Sequence, residues 1–393
     1  MRHTSMTLGV VMAAILAVSA CAAPAVDESE SPAAEIAGAE DGVPILEYDP
    51  TWPKRPMANA AIFGAVMAID VDSEDNIWVM HWNHWLGQTD NSATMGRGEC
   101  CNPLPFVTKF NQEGDLLNSW GDVEDPALMA PGFQWVVARG GAHGIYVDYA
   151  GNVWTGSHTP GASYENAYAN LAKFTNDGTF IMQKGTFGQS KGNADTDNFA
   201  QPTGIVVDEA TNEAFIADGY DNRRVIVIDA DTMEYKRMWG AYGNEPMDGP
   251  LPARPDGEPS PQFTGVHCIK MSNDGLLYVC DRPNNRVQVF QKDGTFVSEG
   301  FVGKATDGGT VADVAFSADA DQRYLYVGDG VNRKVWILRR DTLETVGSFG
   351  NGGNYGGEFA YIHTVATDSK GNVYVGEHSN GHRAQRFTIT GFE

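Results

Sequence analysis

"GVHCIKMSNDGLLYVCDRPNNRVQVFQKDGTFVSEGF", Gly265–Phe301, decides how the chain is read. It holds short apolar runs rich in Val, Leu, Tyr and Phe, parted by Asn-Asp-Gly, Pro-Asn-Asn and Lys-Asp-Gly. Runs of this length between such turn residues read as strands in hairpins. The first hairpin recurs along the chain. Aligned on the polar residue that ends its first strand, it appears at Asp72, Asp148, Asp208, Ser272, Ser317 and Asp368. The spacings are 76, 60, 64, 45 and 51 residues.

Several hairpins continue outward, as in "DGYDNRRVIVIDADTMEYKRMWG" and "DGVNRKVWILRRDTLETVGSFG". Four strands per unit and six units make an all-β chain, a six-bladed β-propeller. A sandwich does not repeat in four-strand units of this size. The phrase "DRPNNRVQVF" resembles the NHL repeat and recurs in weaker form at Asp218, Asp329 and Glu377. Room for insertions falls at Asn83–Pro105 and His158–Asn170, whose loops are candidates to line a site.

Five residues before each alignment position stand Met67, His143, Thr203, His267, Ala312 and His363. Only nine His are present, yet three share this register in units two, four and six. Alternate blades of a six-bladed ring are related by about a third of a turn, and innermost strands line the channel. The three imidazoles therefore converge on the axis. Such a set suits Zn²⁺, with a fourth position left for water or substrate. Iron, copper or nickel could occupy the same ligands. Loops after the second strands return to the His face. Those of units three and four carry Tyr220 in "ADGYDNRR" and Arg282 in "CDRPNNR".

The formal charge of −24 argues against nucleic acid as a partner. Arg2 and His3 precede a short apolar stretch, Met6–Val18, which ends in "AVSACAAPA". That pattern reads as an export signal over residues 1–20 with a lipobox, so cleavage before Cys21 and lipidation of its thiol are expected. Ala22 after Cys21 resembles outer-membrane sorting in Gram-negative lipoproteins, which places the protein on the periplasmic face. The membrane is then met only through the lipid anchor. Residues 21–44 are small, acidic and Pro-containing, and read as a tether. The propeller is expected over 45–393, as a monomer. Cys268 and Cys280 lie on two arms of one hairpin, whereas adjacent Cys100 and Cys101 would pair under strain. Sequence does not choose among the three pairings of four Cys.

From about Ala61 to Ile389 the chain resembles peptidyl-α-hydroxyglycine α-amidating lyases. The resemblance rests on the three His, on "QPTGIVVDEATNEAFIADGYDNRRV", and on the Arg of "CDRPNNR". It implies a zinc propeller that breaks the N–C bond of a carbinolamide, giving an amide and glyoxylate from a small-molecule or peptide substrate. His143, His267 and His363 then bind zinc. Tyr220 is the base, Arg282 holds the carboxylate, and Arg97 in "GRGECCNPLPFVTKF" matches a second family Arg. A cation and a metal beside Tyr220 would lower its pKa toward that role. Thr364 stands where the family has an Asp that helps hold Ca²⁺, which argues against a calcium bridged to the zinc site. Two other readings stand beside this one. They are a non-catalytic NHL scaffold, and another metal-dependent propeller hydrolase or lactonase. Arg224 reads as structural. His81 and His84 sit among Trp82 and Trp85, and His158, His378 and His382 follow second strands.

Overall fold

A computed structural model of the chain describes residues 42–82, 100–121, 141–158, 169–251 and 259–393. The export signal, Cys21, residues 21–41 of the expected tether, His84 and Arg97 lie outside the described residues; residues 42–44 are not tether, because Val43 pairs with Glu393 and Pro44 opens a strand.

Six antiparallel sheets of four strands follow one another along the chain. From the axis outward, blade one holds Ala65–Val71, Ile77–Trp82, Val107–Phe110 and Leu116–Trp120. Blade two holds Gly141–Val147, Val153–His158, Leu171–Phe174 and Phe180–Lys184. Blade three holds Pro202–Asp208, Glu213–Asp218, Arg224–Asp229 and Tyr235–Trp239. Blade four holds Val266–Met271, Leu277–Asp281, Arg286–Phe290 and Phe296–Phe301. Blade five holds Asp313–Phe316, Tyr324–Asp329, Lys334–Arg339 and Thr345–Phe349. Blade six holds Ile362–Thr367, Val373–Glu377 and Arg383–Phe392, and takes its outermost strand, Pro44–Asp49, from the start of the described chain. Pro44 pairs with Phe392 and Asp49 with Arg386, so the ring is shut by main-chain hydrogen bonds.

The middle strands of a blade are buried on both faces, which is why they read as unbroken apolar runs. One core cluster fills each of the six seams between neighbouring blades, the sixth joining blades six and one. Each Val, Leu or Ile so buried contributes about 1.5–3 kcal/mol.

The alignment residue of the repeat has a mechanical reason. Asp148 accepts the N–H groups of Ala150 and Asn152, and its second oxygen accepts Trp154 Nε1–H at 2.8 Å. Asp72 does the same for Glu74, Asn76 and Trp78, and Asp368 for Lys370, Asn372 and the Tyr374 hydroxyl. One carboxylate closes the turn and ties it to the second strand.

The NHL-like Asp and Arg work at the opposite end of the blade. Fully buried Asp281 accepts Thr264 N–H at 2.9 Å, Asn284 Nδ2–H at 2.6 Å and Arg286 Nε–H at 2.9 Å. Asp218 and Arg224 repeat the pair in blade three, and Arg224 also donates to the carbonyls of Asn193, Asp195 and Asn198. Arg224 thus holds a loop and faces no channel. Arg286→Ala leaves the Asp281 carboxylate buried without its counter-ion. The expected loss is about 3–5 kcal/mol of unfolding free energy, read from urea denaturation against the unaltered chain.

Candidate metal centre

The three His stand on β-bulges. In blade four the pairing steps from Val266 opposite Asp281 to Cys268 opposite Cys280, skipping His267. Blade six skips His363 in the same way, and blades one and three skip Met67 and Thr203. Blade two shifts between Ala142 and Ile145, around His143. A bulged residue loses its place in the ladder, so its side chain is re-aimed and its carbonyl is released.

Both consequences are used. His143 Nδ1 meets the Thr203 carbonyl at 3.2 Å, His267 Nδ1 meets that of Ala312 at 2.5 Å, and His363 Nδ1 meets that of Met67 at 2.7 Å. Each imidazole is therefore held by the bulged or equivalent residue of the next blade. A carbonyl only accepts, so Nδ1 carries the proton and Nε2 keeps its lone pair for the axis. This is the arrangement that fixes a metal-binding imidazole. Gly144 permits it beside His143, since a Cβ there would lie 2.3 Å from the Thr203 oxygen.

The rings form a near-equilateral triangle, with centroids 4.8, 4.9 and 4.8 Å apart. Their ligating atoms all lie within 4.8 Å of one another, and all three residues are buried. Burial, and then the Arg282 charge, hold His267 well below the ordinary imidazole range. Burial, and then His143 and His378, do the same for His363. Neutral imidazoles with preset lone pairs fit Zn²⁺, and the same donors suit other transition metals.

Tyr220 and Arg282 both reach this point. The Tyr220 hydroxyl lies 3.1 Å from His143 Nε2 and 3.1 Å from His267 Nε2. Arg282 Nη1 donates to His267 Nε2 at 2.7 Å, and its guanidinium sits 5.4 Å from the Tyr220 ring. Tyr220 has a left-handed backbone (φ 60°), a conformation that costs a non-glycine residue about 1–3 kcal/mol and clusters at functional sites. The preceding Gly219 is pressed onto blade four, where a Cβ would fall 1.9 Å from the Val266 oxygen. Burial pushes the Tyr220 phenol above its ordinary value, and Arg282 opposes this without reversing it. The lowering expected from a cation thus needs more positive charge than Arg282 supplies. A cavity of about 210 Å³ adjoins these groups, bounded by Thr264, Gly265, Val266 and Pro283.

His81 does not join the site. Its Nδ1 accepts Gly64 N–H at 3.1 Å, and its ring packs on Phe63. It occupies in blade one the place of Asp281 in blade four, opposite Val66 as Asp281 is opposite Val266. His378 does lie at the site, its ring 5.4 Å from that of His363 and 5.5 Å from that of Trp82. Burial, and then His382 and Arg282, push it down to about 4. Its signal was positional. His378 follows Glu377 as Arg282 follows Asp281, so both loops overhang the same mouth. Cys268 pairs with Cys280, directly opposite it in the ladder, and Cys100 with Cys101. Thr364, at the family's calcium position, accepts Ile69 N–H at 3.0 Å and donates to Asp313 at 2.8 Å.

A family model described as the NHL repeat matches residues 263–290. The peptidyl-glycine alpha-amidating monooxygenase B of Xenopus laevis is 28% identical over 346 residues, covering 85% of this chain and 35% of that protein. The peptidylglycine alpha-amidating monooxygenase of Rattus norvegicus is 25% identical over 346 residues, covering 83% of this chain and 30% of that protein. This chain thus spans about a third of the length of these curated relatives. Among solved structures, a protein of unknown function from Bacteroides thetaiotaomicron superposes with a TM-score of 0.52 at 13% identity, over 89% of this chain and 76% of that one. That likeness concerns the fold.

Proposed function

We propose that the propeller is a zinc-dependent carbon–nitrogen lyase that splits an α-hydroxyglycine-type carbinolamide into an amide and glyoxylate. The observation that carries this reading is the joint aim of three carbonyl-braced imidazoles, one phenol and one guanidinium at a single point on the axis. Similarity to the amidating monooxygenases supports it over most of the chain. His143, His267 and His363 would hold the ion. Bound there, zinc supplies Lewis acidity toward a substrate oxygen and positive charge beside Tyr220.

The residues of the chain do the rest. Arg282 takes the substrate carboxylate in a two-pronged contact, which fixes the carbinol carbon beneath Tyr220. Ionised Tyr220 accepts the carbinol proton, the C–O bond becomes C=O, and the N–C bond breaks with its electron pair passing to nitrogen. Tyr220 then returns the proton to the amide nitrogen, so the atoms of the carbinolamide are divided between amide and glyoxylate and the base is regenerated. Arg97 is proposed as a second substrate contact. The export signal and Cys21 are proposed to tether this activity to the periplasmic face of the outer membrane.

The test is glyoxylate release from an α-hydroxyglycine peptide by zinc-loaded protein. Stoichiometric amide and glyoxylate are expected. Zinc-loaded protein that releases neither would sink the lyase reading and favour a binding scaffold.

A further inference from the structure

Below the His ring the channel carries charges that neither the repeat nor the metal centre uses. Asp70 stands three residues after Met67, and Lys270 three after His267, so blades one and four place them on one layer. Asp313 stands one residue after Ala312, facing Thr364 across the seam to blade six. Both carboxylates are buried, at 9% and 7% exposure. Asp70 accepts Val147 N–H from blade two at 2.7 Å, and Asp313 accepts Val365 N–H from blade six at 3.1 Å. Lys270 and Asp313 line the same cavity as the three His. Lys270 and Asp70 also line a lower mouth of about 310 Å³, with Tyr146 and Gln322. Lys270 therefore borders both spaces, close enough for its charge to favour ionisation of both carboxylates without a direct ion pair to either.

The calcium that the family resemblance implies does not fit this layer. Thr364 offers a hydroxyl already committed to Ile69 and Asp313 in place of a carboxylate. A dication there would also share its cavity with an ammonium. We infer that Lys270 is a tethered cation that takes the place of a bound divalent ion between Asp70 and Asp313, closing the channel beneath the imidazoles. Blades one, two, five and six are then joined through Asp70 and Asp313 with a counter-ion that cannot dissociate. The idea does not depend on the lyase reading or on which metal the His hold.

Equilibrium dialysis of the full chain against about 1 mM CaCl₂, where the weakest calcium modules fill, tests it. The parent chain and Lys270→Arg are expected to bind no calcium at this layer, with unfolding temperatures that ignore the ion. Lys270→Ala is expected to lose several degrees, to take up about one calcium per chain, and to regain stability when it does. Adding Asp313→Asn to Lys270→Ala removes both the uptake and the rescue. Calcium bound by the parent chain and lost in Asp313→Asn overturns the inference, as does a Lys270→Ala chain that keeps full stability and takes up no ion.

Lys270→Met decides the matter if the alanine chain does not fold, because it keeps the volume and removes only the charge. Asp70 then faces Asp313, Tyr146 and no ammonium. In the parent chain burial raises the Asp70 carboxyl to about 6 against the opposing pull of Lys270, so there it is mostly neutral at about pH 5 and draws on the ammonium at about pH 8. The stability loss of Lys270→Met is expected at the higher pH and absent at the lower. An equal loss at both would mean lost packing and overturn the assignment.

Discussion

His267→Ala lowers bound zinc from about one ion per chain to near none and cuts glyoxylate release by more than about a hundredfold. Plasma mass spectrometry and the product assay read the two effects. The size follows from how the site is built. Three imidazoles are the donor set among the described residues, and a catalytic zinc site built on them needs all three to leave a single open position. His81→Ala is the matched control. His81 is more deeply buried than His267, yet its hydrogen bond is to Gly64, so the variant loses stability and keeps its zinc. Full zinc retention in His267→Ala would show that the ion sits elsewhere.

Tyr220→Phe should separate metal from chemistry. It keeps about one zinc per chain, because the hydroxyl is not needed to aim the imidazoles. Their orientation comes from the carbonyls of Thr203, Ala312 and Met67. Turnover falls about 10²–10⁴-fold, the usual worth of a positioned acid–base group. KM changes little, since Arg282 still holds the carboxylate. Arg282→Lys shows the opposite split: KM rises because one ammonium cannot make the two-pronged contact. A Tyr220→Phe chain with unchanged kcat would remove the phenol from the proposed chemistry.

The fold was legible because its repeat is enforced by chemistry visible in single letters. An Asp or Ser that closes a turn, and an Asp and Arg that pair inside blades three and four, leave marks that recur along the chain. The His triad was legible for a related reason, a fixed register read modulo blades. What holds the triad was not. The bulges at Met67, Thr203, His267 and His363 change no residue type, and a carbonyl has no letter. Asp70, Lys270 and Asp313 did leave a trace, as charges inside the apolar runs "VMAIDV", "HCIKM" and "VADVAF". Their meaning needs three blades at once, which no single run supplies. His378 was legible only as one of three His in loops after second strands, with nothing in the sequence to set it above His158 and His382. The closing strand Pro44–Asp49 was hidden too, since nothing in "PILEYD" names residues some 340 positions away as its partners.

That closing strand has a bearing on the order of assembly. The carbonyl that braces His363 belongs to Met67, on the far side of the join between the last blade and the first. Until Pro44–Asp49 docks onto Arg383–Phe392, that join is open and the third ligand has no fixed aim. An ion held by all three His would therefore require that blades six and one have already met.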